Sequence, residues 1–234
     1  MKKSAEKLSC PGLVLCGAGI DFLRDVTLGT LAALRNCDSL VYIHQDRARL
    51  GELLKLLRPC PKVVFAEPGG YPPGWKAVLA ELKKGRRVAY LTYGHPLVFS
   101  EGAPLAARCR REGYEVTVLP AVSAADSVLA EVCGRCGVAD WRALACADAA
   151  DVASGRTALP DASLLIFCAD ALDAKALGRL FCRLEKAYAP GQAVYLVRCA
   201  DVMGPAAVKR LKVGELRDSA ALLEHRMTLV LPVR

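Results

Sequence analysis

The sequence predicts an α/β protein. Three observations carry that expectation. Short β-period apolar runs alternate with helical-period runs from residue 13 to about residue 119. The runs end in Gly- or Pro-bearing turns, which suits strands feeding loops at a sheet edge. The 234 residues are 53% hydrophobic and 24% charged, a globular balance with enough chain for a sizeable core.

Taken in order, residues 13–16 form a short apolar run after Pro11-Gly12, followed by Gly17-Ala-Gly19; this reads as a first strand and its turn. Residues 27–35 place Leu28, Leu31 and Leu34 at helical spacing behind Thr27, a good N-cap. A second strand covers 39–43, a helix 48–57 and a third strand 63–65. The Pro/Gly-rich loop 68–74 and a helix over 75–84 follow. The strongest strand, 87–92, ends in Tyr93-Gly94-His95-Pro96, then come a helix over 103–112 and a strand over 115–119.

Past Pro120 the pattern changes. Helices are expected at 123–132, 174–188 and near 212–216, and strands at 143–145, 163–168, 193–198 and 227–232. A domain boundary near residue 120 follows, giving an N-terminal α/β domain, 1–119, and a C-terminal α/β domain, 120–234. No low-complexity linker separates them, so the expectation is two halves packed around a shared cleft.

Lys plus Arg total 32 against 24 Asp plus Glu, a net charge of +8. Such a balance permits attraction to polyanions. The basic residues form short clusters (residues 83–87 and 108–111), with no basic tail and no zinc-finger or RNA-recognition pattern, so nucleic acid is disfavoured as a partner. Mean hydropathy is positive, but no apolar run reaches membrane-span length. The eleven cysteines are scattered, and the first residues lack an apolar signal core, so Cys10 is not expected to be a lipid attachment site. A reduced, cytoplasmic protein using Cys as a small hydrophobe is expected. Cys133 and Cys136 are the one close pair; without a second pair or a nearby His, no metal site is expected.

Three segments carry chemistry. Glycines at 17 and 19 let backbone amides approach a ligand, although the dinucleotide fingerprint fails at Phe22 and a tight structural turn is the competing reading. In Tyr93-Gly94-His95-Pro96-Leu97-Val98-Phe99, Gly94 permits close approach, Pro96 stiffens the bend, and Val98 and Phe99 offer an apolar wall. The alternative there is a turn that only caps the core. His95 reads equally as a structural or a catalytic residue, and His44 and His225 have no supporting pattern. In Pro120-Ala-Val122-Ser123-Ala124 the Ser123 hydroxyl is either a ligand partner or a helix cap.

These blocks, with Thr27 ten residues past Gly17 and the closing Thr228-Leu-Val-Leu-Pro232, resemble the tetrapyrrole methylase superfamily, the class III S-adenosylmethionine (SAM) methyltransferases. The resemblance covers nearly the whole chain. It implies a tetrapyrrole methylase-like fold of two α/β domains with the SAM cofactor in the cleft between them, and a homodimer. Cofactor residues are then expected at Gly17, Gly19, Tyr93, Gly94, His95, Pro96, Leu97, Val98, Phe99, Val122, Ser123 and Ala124, with Leu144 by position only. Gly-His-Pro stands where the family usually has Gly-Asp-Pro, and Gly17-Ala-Gly-Ile-Asp-Phe22 where it usually has Gly-x-Gly-Pro-Gly-Asp. Both departures are similar to the borosin branch, peptide backbone N-methyltransferases, as are Arg111-Glu-Gly-Tyr114 and Tyr188-Ala-Pro190 with Val194-Tyr195.

That branch implies methylation of backbone amide nitrogens in a separate precursor peptide, since no substrate segment follows the last strand. Tyr71 and Tyr93 are then the candidate catalytic residues. Glu67 stands where the borosin pattern has an Arg, Ala121 replaces its usual Gly, and 144–151 departs from its Cys-Gln stretch. Two other readings stand beside this one: methylation of a tetrapyrrole or another small molecule, and a non-catalytic SAM-binding regulator.

Overall fold

The computed structural model describes residues 11–43, 47–66, 74–138, 141, 143–159, 161–201 and 204–232. The chain divides into two compact α/β units, Met1–Ala124 and Ala125–Arg234.

The first unit runs β1 (Gly12–Gly17), α1 (Phe22–Asp25), α2 (Leu28–Arg35), β2 (Ser39–Tyr42), α3 (Arg47–Lys55), β3 (Lys62–Phe65), α4 (Trp75–Leu82), β4 (Arg87–Thr92), α5 (Gly102–Arg111) and β5 (Glu115–Val118). Its five strands lie in the order β3-β2-β4-β1-β5, all parallel. Strands buried on both faces must be apolar throughout, and β1 and β2 are buried at every residue. On one face Val14, Cys16, Leu40, Tyr42, Ala89 and Leu91 pack against Phe22, Leu34, Leu50 and Leu53 of α1, α2 and α3. The alternate residues Leu13, Leu15, Val41, Val88 and Tyr90 pack against Val78, Leu82, Leu105 and Cys109 of α4 and α5. The period-2 alternation of the strands thus divides one sheet between two helical layers.

A buried polar knot lies where β2 begins and α4 ends. Glu81, 3% exposed, accepts hydrogen bonds from Ser39 (2.7 Å), Lys84 and Arg86. The hydrogen bonds from Lys84 and Ser39, with the Arg86 guanidinium, hold its carboxyl down at about 2 against the opposing effect of burial.

The second unit follows α6 (Ala124–Cys136) with β6 (Leu144–Asp148), α7 (Ala149–Ser154), β7 (Ser163–Phe167), α8 (Ala174–Ala187), β8 (Ala193–Arg198), β9 (Ala207–Lys212) and β10 (Thr228–Leu231). Its sheet order is β6-β7-β10-β8-β9; β6 and β7 are parallel, and the other pairings are antiparallel. Leu180, Phe181 and Leu184 of α8 and Val152 of α7 pack onto Leu164, Ile166, Val194, Leu196, Leu229 and Leu231. Asp173 caps α8, its carboxylate accepting the Ala176 N–H at 2.7 Å.

Several elements differ from the sequence expectation. The last turn of α6 extends past residue 132 to Cys136, β6 runs to Asp148 rather than residue 145, and α1, α7 and β9 were not expected. Near residues 212–216 there is a single 3₁₀ turn, Val213–Glu215, after β9. Among the described residues no helix is long and apolar enough to cross a membrane.

Candidate functional site

In the first unit β4, β1 and β5 are neighbours, so their carboxyl ends lie side by side. Gly17 pairs in register with Thr92, and Leu15 with Val118. The chain leaves all three strands at one sheet edge, where open parallel sheets bind ligands. The bends 17–20, 93–99 and 119–123 are therefore brought together.

Backbone bonds tie the first two to each other and the start of the third to β1. The Ala18 N–H donates to the Thr92 carbonyl (2.9 Å), the Gly94 N–H to the Gly19 carbonyl (3.0 Å), and the Leu119 N–H to the Leu15 carbonyl (2.9 Å). The Thr92 hydroxyl donates to the Cys16 carbonyl at 3.3 Å, and the Thr30 hydroxyl to the Gly17 carbonyl at 3.4 Å. Gly17 is required by crowding. A Cβ there would stand 1.9 Å from the Gly94 carbonyl oxygen and 2.7 Å from the Ala121 Cβ. Gly19 and Gly94 have φ of +77° and +65°, the left-handed region that favours glycine.

The first bend is held by a residue that the sequence reading missed. One carboxylate oxygen of Asp25 accepts from the N–H groups of Ile20 (3.0 Å) and Asp21 (2.8 Å). A Cβ on Gly19 would meet the Asp25 Cβ at 2.0 Å, so the bend closes tightly over this side chain. The signal available was an Asp six residues past a Gly-x-Gly, the kind of local side-chain-to-backbone bond that organises turns.

The second bend is folded on itself. The Val98 N–H donates to the His95 carbonyl (3.2 Å), the Leu97 N–H donates to His95 Nδ1 (3.1 Å), and the Ser100 hydroxyl donates to the Pro96 carbonyl. Phe99 has φ +47°, a strained value for a bulky residue and of a kind found at functional sites. Pro96 is buried, whereas Leu97 and Phe99 are 44% and 45% exposed at the edge. Tyr93 is half-buried at the start of the bend. Behind it Tyr90 is fully buried; its hydroxyl donates to Glu101 at 3.1 Å, and burial followed by that carboxylate raises its pKa. Tyr90 therefore stays a neutral phenol.

In the third bend Ser123 is buried directly before α6, with Val122 and Ala124 half-buried on either side. Leu144 opens β6 in the second unit and is 37% exposed. Tyr71, Glu67 and His44 lie outside the described residues. His225, which the sequence left without a role, has Nδ1 2.9 Å from the carboxylate of Asp170. Cys133 and Cys136 are free thiols on α6, and no cluster of metal-ligating side chains occurs among the described residues.

Residues 12–133 match the family model of the Tetrapyrrole (Corrin/Porphyrin) Methylases. A methyltransferase/ribosomally synthesized type III borosin cyclic peptide precursor of Anomoporia bombycina is 28% identical over 243 residues, covering 94% of this chain and 27% of that one. The ribosomal RNA small subunit methyltransferase I of Thermotoga maritima is 31% identical over 119 residues, 50% of this chain and 53% of that one. The chain spans between about a quarter and about half the length of the curated relatives it matches. Among solved structures, uroporphyrin-III-C-methyltransferase from Thermus thermophilus shares the fold, with a TM-score of 0.72 at 23% identity over 95% of this chain and 92% of that one.

Proposed function

The chain belongs to the tetrapyrrole (corrin/porphyrin) methylases, a SAM-dependent methyltransferase family, and from that premise we propose that it transfers the methyl group of SAM to backbone amide nitrogens of a separate peptide. One observation carries the methyl-donor part: three backbone-lined bends from neighbouring parallel strands meet at the carboxyl edge of one sheet. Their residues fit a flat nucleoside. Gly17 and Gly19 let the first bend pack closely on Gly94 and Asp25, Leu97 and Phe99 offer exposed apolar surface, and Ser123 offers a hydroxyl.

SAM supplies a methyl group already activated on a sulfonium. What remains for the protein is to hold the donor and acceptor in line, which contributes on the order of 7 kcal/mol or more when orientation is good. In this reading Gly17, Gly19 and the segment from Gly94 to Phe99 hold the donor, with Val122, Ser123 and Ala124 beside them. A neutral amide is a poor nucleophile, so its N–H proton must be removed or shared. Tyr93, at the mouth of the second bend, and Tyr71 are the proposed groups for that proton, each taking it as the phenolate and becoming the neutral phenol. The peptide acceptor is supported by the likeness to a type III borosin precursor, which extends over 94% of this chain at 28% identity, and to other borosin precursors over about half of it.

A second reading has a tetrapyrrole as the acceptor, and it is favoured by the fold shared with uroporphyrin-III-C-methyltransferase. A ring carbon that is already nucleophilic needs no base, so Tyr93→Phe separates the two. Mass spectrometry after incubation with SAM and either a candidate peptide or a porphyrinogen decides. Steps of about 14 Da on the peptide, lost in Tyr93→Phe, support amide methylation. Methylation of the porphyrinogen alone replaces it with the second reading. Calorimetry that detects no binding of S-adenosylhomocysteine would remove both.

A further inference from the structure

His95 makes one bond that fixes its chemistry. Its Nδ1 lies 3.1 Å from the backbone nitrogen of Leu97, two residues on. A backbone N–H can only donate, so Nδ1 must keep its lone pair. In the neutral ring the proton then sits on Nε2. The side chain accepts from the N–H two residues ahead, as an Asn or Asp does in an Asx turn. Around it the Val98 N–H is taken by the His95 carbonyl, and Pro96 has no N–H to place. The Leu97 amide of this tight turn is thus satisfied by a side chain.

We propose that His95 is the positioning residue of the second bend: Nδ1 fastens the Leu97 amide, which commits Nε2 to donate rather than accept a hydrogen bond. His95 then meets its surroundings as a donor, and it is not the group that removes an acceptor's proton. The part of this inference that concerns the cofactor rests on the SAM reading above; the tautomer does not.

Two measurements test it, and the first needs no cofactor. Long-range proton–nitrogen NMR spectra of the imidazole rings report the tautomer directly. The sequence has three histidines, and the signals lost in His95→Asn identify the ring of interest. The expected pattern is Nε2–H; an Nδ1–H pattern for the ring whose signals are lost in both His95→Asn and His95→Gln overturns the proposal. The second measurement is calorimetry with S-adenosylhomocysteine. In His95→Asn the amide oxygen reaches the place of Nδ1, and binding should stay within about threefold of wild type. In His95→Gln the amide reaches the place of Nε2 instead, and binding should weaken by about tenfold. Equal loss in both variants, or loss in Asn alone, overturns the role of Nδ1. Failure of the wild type to bind defeats the methyl-donor reading while leaving the tautomer result standing.

Discussion

Replacing Gly17 by alanine tests the junction on which the candidate site is built. The new Cβ would stand 1.9 Å from the Gly94 carbonyl oxygen and 2.7 Å from the Ala121 Cβ. Relaxed contacts of carbon lie at about 3.5–4.0 Å, so the first and second bends must separate by more than an ångström. The atom in the way is main chain, held by the Gly94 N–H bond to Gly19, and it cannot swing aside as a long side chain would. Inserting one carbon into a packed core costs about 1–3 kcal/mol, and this contact belongs at the upper end. For a chain of this length ~3 kcal/mol lowers the Tm by about 6–12 °C. If the bends hold a nucleoside, the same displacement weakens S-adenosylhomocysteine by more than about tenfold, the equivalent of ~1.4 kcal/mol. Thermal unfolding by circular dichroism and calorimetry of ligand binding provide both readings. Gly178→Ala is the control of opposite sign. It sits within α8 with no described atom within 4 Å of its Cβ position, and gains ~0.5–1 kcal/mol of helix stability. A Gly17→Ala protein with unchanged Tm and unchanged ligand affinity would refute the close approach of the bends.

Other expected outcomes follow from single side chains. Gly94→Val puts a β-branched residue at φ +65°, with its Cβ 3.3 Å from Ile20; ligand affinity should fall, and an unchanged dissociation constant by calorimetry would make the bend a purely structural turn. Glu81→Gln should lower stability at pH 7 by ~1–3 kcal/mol in denaturant titrations, because a buried carboxylate with three donors loses its charge. The folded Glu81 carboxyl ionises at about 2, below its unfolded value, so its contribution is present above the ordinary glutamate range and fades as pH falls toward 2. The acid side of the wild-type stability curve should therefore be steeper than that of Glu81→Gln, and parallel curves would count against the buried knot. In thiol mapping by mass spectrometry, exposed Cys60 and Cys133 should label first in the native protein. Cys109, pushed up to about 11 mainly by burial, and Cys16, raised by burial and then by Cys37, should label only on unfolding. Rapid native labelling of Cys16 would contradict its position within β1.

The parts of the fold that were legible are those where one physical signal dominates. Strands β1, β2 and β4 are apolar at nearly every residue because helices cover both faces, and such runs between turn signals have few other readings. Strand β9 was hidden because Lys209, Arg210 and Lys212 interrupt its apolar residues; these charges suit a strand at the rim of a sheet, where they discourage further pairing. Helices α1 and α7 have four and six residues, too short for a periodicity to show. In the candidate site the bends could be read from Gly-x-Gly and Gly-x-Pro, since few residues tolerate those turns. Their mutual contact could not, because it depends on which strands are neighbours. The Asp25 clasp showed in the sequence only as a spacing, and the Nδ1 bond of His95 not at all, for a related reason. Each needs the main chain folded before the side chain has a partner.

The order β6-β7-β10-β8-β9 has a consequence for synthesis on the ribosome. The central ribbon of that sheet is made last, so the β6–β7 pair and the β8–β9 hairpin emerge with no shared neighbour until residues 228–231 arrive. Until then each piece presents an open flank to whatever polypeptide is nearby. The nascent second unit should therefore be the stage at which this protein most depends on chaperones, and a ribosome stalled before codon 228 should hold it protease-sensitive.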